Sequence, residues 1–282
     1  MDGIIIINKP KGYTSHDVVN IVKKKLNISK VGHTGTLDPN ATGVLPILIG
    51  KATKISKYLI EHNKTYIAEL ALGEKSSTGD IEGEIIEKQD LPNLEEHQIK
   101  QVLESFIGKQ MQTPPIYSAI KINGKKAYEY ARSGQTIELK PREIEIMDIS
   151  LVKFEKGSIT FKVKCSKGTY IRVLCEDIAR KLGTVGLMKE LCRTRVNEFN
   201  IEQSTDLKEL KATDLINIEE IFIKKPKIEL NNKQAQLFLN GVKLNTANPD
   251  EIYRIYRNEQ FLGIGVIKNN LLKRDIIIID NY

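Results

Sequence analysis

Cysteine is scarce in this chain. Only Cys165, Cys175 and Cys192 occur among 282 residues. The number is odd, and the spacing fits neither a disulfide framework nor a zinc ligand set. Reduced, mostly buried thiols and a cytoplasmic setting are expected. Long apolar runs are missing too. The N-terminal run Ile4–Ile7 is far short of the roughly 18 residues a membrane span needs. Asp2 and Gly3 before it and Asn8-Lys9-Pro10 after it do not make a signal peptide. No membrane partner is expected. Nucleotide-binding signatures are lacking as well. Gly50-Lys51 is followed by Ala52, and position 45 is Leu45, so the Walker pattern fails. No G-x-G-x-x-G follows a strand. His33 and Asp38 have too few ligand-type neighbours for a metal site. There is no internal repeat and no low-complexity tract. No cofactor and no metal are expected.

What is present is ordinary in bulk. Hydrophobic residues make up 40% and charged residues 28%, as in a globular protein. The length allows one large domain with a substantial core and a small one beside it. Lys plus Arg is 43 against 36 Asp plus Glu, a net charge of +7. That excess suits a polyanionic partner such as nucleic acid without requiring one.

Local patterns give the elements. GIIIINKPKG reads as a short buried strand stopped by Pro10 and Gly12. Thr14 or Ser15 caps a helix with Val18, Val22 and Leu26 on one face and Lys23, Lys24 and Lys25 at its C-terminal end. KTYIAELALG, residues 64–73, reads as a strand, and SSTGD, 76–80, as a turn. A helix runs from about Glu95 to Ile107 with Ile99, Val102, Leu103 and Phe106 as its apolar stripe, ended by Gly108. Asn123-Gly124 marks a turn before a short helix ended by Gly134. In SITFKVKCS, Ile159, Phe161, Val163 and Cys165 alternate with Lys162 and Lys164, a half-buried strand. KGTYIRVL leads into a helix with Leu174, Ile178 and Leu182 on one face. Near Ile223–Ile228 the character changes. The runs IYRIYR and DIIIID, with Gly241, Gly263 and Gly265, point to a small β-rich domain.

One stretch fits none of these patterns. Residues 32–46, GHTGTLDPNATGVLP, hold three glycines, two prolines and a lone acid, Asp38. Taken alone, Asp38-Pro39 is a common opener of an Asx-turn. The stretch also resembles the catalytic motif of the TruB family of tRNA pseudouridine synthases. Further blocks resemble that family in the same order: NKPKGYTSHDVV at 8–19, KTYIAELALG at 64–73, and QTPPIYSAIKINGKKAYEYARSG at 112–134. KGTYIRVLCEDIARKLG at 167–183 and LCRTRV at 191–196 complete the set. The resemblance covers roughly residues 1–200.

The resemblance implies a reaction on uridine 55 in the T-loop of tRNA. The N-glycosidic bond breaks, and the uracil turns and rejoins the ribose through C5. No redox change occurs, so no nicotinamide, flavin or ATP is implied. Asp38 would be the carboxylate at the ribose, either attacking C1′ or removing the C2′ proton. Gly and Pro would fix the loop that aims it. Arg172 matches an arginine that pairs with this acid and would lower its pKa. The base must be flipped out. Tyr66 resembles the tyrosine that stacks on it and takes the C5 proton, though a strand tyrosine can equally be core. Tyr170 and Leu191 resemble pocket-lining residues. His33 resembles the histidine that fills the space the base leaves. Closure over the RNA is expected, because an exposed sugar intermediate would be hydrolysed.

The segment at about 108–140 resembles an insertion that clamps the T-arm. Lys121, Lys125, Lys126 and Arg132 would meet phosphates, and Tyr117, Tyr128 and Tyr130 would pack or stack. Lys9 and Lys64 are weaker phosphate candidates. The expected architecture is α+β: a pseudouridine synthase domain over 1–225 with a mixed, mainly antiparallel sheet, then a small PUA-like RNA-binding domain over 226–282. A monomer needing no protein partner is expected. Two rival readings are a guide-dependent rRNA synthase inside a ribonucleoprotein and a non-catalytic tRNA-remodelling protein.

Overall fold

The computed structural model describes residues 1–60, 63–135 and 137–279. Strand β1 (Gly3–Lys9) is buried along almost its whole length. Both of its faces are covered. Ile5 and Ile7 join one hydrophobic core, and Ile4 and Ile6 join another on the opposite face. Each such side chain contributes about 2 kcal/mol by leaving water. Pro10, which has no N–H for a ladder, follows the last residue of the strand.

Helix α1 (Ser15–Leu26) begins with a reciprocal cap. The Thr14 side chain accepts from the Asp17 N–H, and the Asp17 carboxylate accepts from the Thr14 N–H. Lys23, Lys24 and Lys25 occupy its last turn, and Asn27 ends it in the left-handed region at φ 53°. Val18, Val19 and Val22 face the core.

There follow β2 (Val31–His33), β3 (Thr42–Ile49) and β4 (Lys64–Leu72). Next come α2 (Glu96–Glu104), β5 (Gly108–Gln112) and α3 (Ala127–Arg132). The main sheet is completed by β6 (Arg142–Glu155), β7 (Ser158–Cys165) and β8 (Gly186–Val196), with α4 (Ile171–Lys181) before β8. The strand order is β1-β3-β8-β4-β7-β6-β5. Within that order β3 and β8 run parallel, and the other neighbours are antiparallel. The sheet is mixed and mainly antiparallel, as expected. Helices α1, α2 and α4 pack one face through Val18, Ile99 and Leu174 among others.

Two local features differ from the expectations. Helix α2 stops at Glu104, not at Ile107, because Phe106 and Ile107 donate to Leu103 and Glu104, three residues back. That is a tighter, 3₁₀-like turn. Gly108–Gln112 is β5, paired with β6 in the main sheet. The segment that leaves the sheet therefore starts after Gln112.

The parallel contact between β3 and β8 depends on Gly43. Its φ is +101°, and an added Cβ would lie 2.2 Å from the Arg193 carbonyl oxygen. Only glycine lets the two backbones come that close.

A second sheet holds Lys227–Glu229, Ile252–Arg257, Gln260–Lys268, Leu271–Ile277 and Leu244–Asn245 in spatial order. Helix Asn232–Leu239 packs on it through Ala235, Phe238 and Leu239. Ile264 and Ile276 of this sheet share a core with Ile4 and Ile6 of β1. Asp275 accepts from the Lys57 ammonium and the Tyr58 hydroxyl across the same junction. Asp280, the last residue of the DIIIID run, lies outside the described residues. Among the described residues no helix is long and apolar enough to cross a membrane.

Candidate active site

Asp38 lies in the turn between β2 and β3. Side chains from distant parts of the chain pin this turn on both sides of the acid. Ser15 Oγ donates to the Leu37 carbonyl at 3.2 Å and accepts from the Leu37 N–H at 2.9 Å. The Gly12 N–H donates to the Pro39 carbonyl at 2.9 Å. Lys9 Nζ donates to Pro39 O at 2.9 Å, to Pro10 O at 3.0 Å and to Tyr13 O at 2.6 Å. Leu37 is buried as the plug beneath the turn.

Lys9 thus departs from the expected phosphate contact. It is 0% exposed, and its ammonium is committed to three carbonyls. Burial pushes its pKa down to about 8, against the pull of Asp38. Its work is to hold the Asp38 loop. Lys9→Met leaves those carbonyls without their donor, which is expected to destabilise the fold by about 2 kcal/mol. The corresponding drop in melting temperature, read by calorimetry, is about 4–8 °C. An unchanged midpoint would show that the loop does not lean on Lys9.

Arg172 approaches Asp38 from α4. Its Nε lies 3.3 Å from Asp38 Oδ2. Its Nη1 lies 3.6 Å from Asp80 Oδ2 and donates to Thr78 O at 3.1 Å. Nη2 donates to Tyr117 O at 2.9 Å. The side chain is 8% exposed. A cation in the first turn of a helix opposes the helix dipole, and the two carboxylates offset that opposition. The start of α4 is itself fixed. Gln112 Nε2 donates to Tyr170 O at 3.1 Å, and the Tyr170 N–H donates to Gln112 Oε1 at 2.8 Å.

Arg172 pulls the Asp38 pKa down, as expected of the pair, but it does not set the net direction. The Asp38 pKa is raised from 3.8. Burial by the surrounding walls is the largest cause and outweighs Arg172; Asp80 pushes further up.

Asp38 and Arg172 open onto a cleft of about 490 Å³ whose walls include Tyr66, Lys64, Tyr170, Leu191, Tyr117 and Tyr128. Tyr66 stands on β4 with its ring turned inward, and burial raises its phenol pKa. The Tyr170 hydroxyl is raised for the same first reason. Both are neutral phenols at pH 7. Leu191, opposite Ala68 in the β4–β8 register, is 8% exposed. Lys64 is also 8% exposed and donates to Ile60 O at 3.0 Å. Thr34 Oγ1 is buried in the cleft wall and has no hydrogen-bond partner among the described residues.

His33 stands apart from the cleft walls. It ends β2, and its Nδ1 accepts from the Gly35 N–H at 3.3 Å. Burial lowers its pKa, so it is neutral at pH 7. Lys121, Lys126 and Arg132 lie in the segment over the cleft. Lys121–Ile122 pairs with Lys125–Lys126, and α3 follows. Lys126 and Arg132 each sit 5.4 Å from the centre of the Tyr128 ring.

Three residues of this site were not named from the sequence, although Gln112 and Arg193 lie inside motif blocks quoted above. Asp80 ends what reads as a plain SSTGD turn, yet it is 7% exposed and faces Arg172. Gln112 sits at the last position of β5. Arg193 lines the cleft at 2% exposure. Its spacing of two from Leu191 is the signal that could have found it, since such residues share one face of a strand.

Known proteins resemble this chain along nearly its whole length. The model of the TruB family pseudouridylate synthase N-terminal domain matches residues 23–171. The tRNA pseudouridylate synthase B C-terminal domain matches 172–222, and the pseudouridine synthase II TruB C-terminal model matches 226–273. The tRNA pseudouridine synthase B of Alkaliphilus oremlandii is 43% identical over 284 residues, covering 95% of this chain and 94% of that protein. That of Caldanaerobacter subterraneus is 42% identical over 278 residues, covering 97% and 98%. Among solved structures, an H/ACA ribonucleoprotein bound to a substrate RNA containing 2′-deoxyuridine has a TM-score of 0.70 at 23% identity, covering 98% of this chain and 85% of that one. A Cbf5-Nop10-Gar1 complex has a TM-score of 0.68 at 24% identity, covering 99% and 84%. These two likenesses establish the pseudouridine synthase fold. With its family models and full-length relatives, the chain belongs to the TruB family of pseudouridylate synthases.

Proposed function

We propose that this protein is a cytoplasmic, stand-alone tRNA pseudouridine synthase that isomerises uridine 55 in the T-loop. The observation that carries the reading is the Asp38 carboxylate, pinned on both sides and ion-paired to Arg172, facing a cleft walled by Tyr66, Tyr170 and Leu191. The N1–C1′ bond breaks with Asp38 at the ribose, as nucleophile at C1′ or as base at C2′. The flipped uracil stacks on Tyr66. It turns, C5 bonds to C1′, the C5 proton leaves, and N1 takes up a proton. Thr34 Oγ1 offers an unused hydroxyl to a polar edge of the entering base. His33 fills the space the flipped base vacates. Lys121, Lys126 and Arg132 contact T-arm phosphates from the clamp, Lys64 supports them from the cleft wall, and the C-terminal sheet meets the tRNA beyond the T-arm. The domain division at 225/226 and a monomeric state belong to the same reading.

The site is mapped by incubating the purified chain with unmodified tRNA transcript and locating pseudouridine by carbodiimide labelling and primer extension. A single stop at position 55 is expected. Stops at other positions, or on guide-paired rRNA only, would overturn the substrate assignment.

Asp38 must be ionised to act, and its pKa lies above 3.8. The rate therefore falls as pH drops through that raised value. The acid limb of the kcat/KM profile is expected at a higher pH than an exposed aspartate would give. A limb at 3.8 or below would show that burial does not govern this carboxylate.

A further inference from the structure

Arg193 is a buried cation with no acid beside it. Its side chain is 2% exposed, and among the described residues no carboxylate lies within ion-pair distance. It stands on β8 directly opposite Tyr66 of β4 and beside Gly43 of β3. Nε donates to Val44 O at 2.8 Å, and Nη2 donates to Gly35 O at 3.2 Å. The guanidinium shares the cleft wall with the Tyr66 ring, and its charge pulls on the phenol. One side chain thus ties the base of the Asp38 loop to the start of β3, beside the tyrosine of the cleft.

A guanidinium without a carboxylate partner is costly to bury. Two carbonyls can be served by a neutral donor, so they do not account for a full charge. The remaining polar neighbour is the Tyr66 phenol, directly opposite in the strand register and in the same cleft wall. Burial drives the Tyr66 phenol up, Cys165 and Asp38 add to that, and Arg193 pulls it back.

We propose that Arg193 is a positioning residue that fixes the Tyr66 hydroxyl beside the Asp38 loop and stabilises negative charge on its oxygen during C5 deprotonation. This rests on the isomerase reading above. After C5 has bonded to C1′, the C5 proton passes to the Tyr66 oxygen while that oxygen releases its own proton to water. The electron pair of the C5–H bond becomes the C5=C6 bond. The former N1=C6 pair takes a proton from water to give N1–H. No oxidant, reductant or further reactant is needed.

The test is a double-mutant cycle read by single-turnover isomerisation of tRNA. Arg193→Lys in the parent is expected to slow the reaction at least about tenfold while tRNA binding stays within about twofold. In a Tyr66→Phe background the same change is expected to slow it less than about twofold, because the contact is already gone. Equal factors in both backgrounds would overturn the proposal, since a scaffold role is blind to the hydroxyl. A second readout does not use activity. In Arg193→Gln, which keeps donors for the carbonyls, the Tyr66 phenol should titrate at higher pH than in the parent. The signal is tyrosinate absorbance, taken as the difference from the matching Tyr66→Phe variant. An unmoved titration would also overturn it. A parent inactive on tRNA would sink the functional reading alone, and the titration would still decide whether Arg193 acts on the phenol.

Discussion

Asp38→Asn is expected to lose isomerisation by at least about 10⁴-fold in kcat, as removal of a central catalytic group does elsewhere. An amide is neither a nucleophile toward C1′ nor a base toward C2′. Binding of tRNA should persist, because phosphate contacts and base stacking are untouched. Stability should hold or rise. The folded pKa of Asp38 is raised by burial above its unfolded value. Between those two values the folded chain holds the extra proton, so the contribution of this group to stability falls as pH rises through that window. At neutral pH the ionised carboxylate therefore works against the fold. A neutral amide of the same shape removes that penalty, and the melting temperature of Asp38→Asn should equal or exceed the parent's. A variant that both melts earlier and loses binding would mean that Asp38 is part of the scaffold. Near-parental turnover would remove it from the reaction.

Arg172→Gln should fail in a different way. Arg172 is the one cation within ion-pair distance of both Asp38 and Asp80 among the described residues, and it also serves Thr78 O and Tyr117 O. Its loss leaves two partly buried carboxylates without a shared partner. The expected penalty is about 3 kcal/mol, the lower end for breaking a buried pair. In a chain of this size that is a fall in melting temperature of about 6–12 °C. Turnover should fall at least about 100-fold, because the carboxylate loses its orientation as well as its counter-charge. The pH profile carries the specific signature. Without the cation the Asp38 pKa rises further, so any residual activity should show its acid limb at higher pH than the parent. Arg172→Lys keeps the charge without the fork of donors and should fall between the two. A Gln variant with the parent's melting temperature and acid limb would contradict the pairing.

Much of this could be read from the chain. The buried strand of β1, the cap and stripe of α1, and the alternation in β7 are local patterns, and each folds as its pattern dictates. The Gly/Pro-broken loop around Asp38 was visible as an anomaly, and the order of the motif blocks pointed to Arg172, Tyr66, Tyr170 and Leu191. What escaped was long-range. Ser15 meets Leu37 across 22 positions, and Lys9 meets Pro39 across 30. Nothing local in NKPKG says that its lysine turns inward instead of outward to a phosphate. The same holds for Asp80, which meets Arg172 only because the SSTGD turn folds under α4. The net direction of the Asp38 pKa was hidden for a related reason. A sequence pairs an acid with an arginine, but only the packed walls reveal how much water the acid has lost.

The central claim is that this chain alone converts one uridine per tRNA through Asp38. The most direct test incubates the purified protein, without guide RNA or added protein, with tRNA transcript carrying tritium at uracil C5. The account predicts release of tritium from one uridine per tRNA, and none from the Asp38→Asn variant. Tight binding without release, or equal release by both proteins, would contradict it.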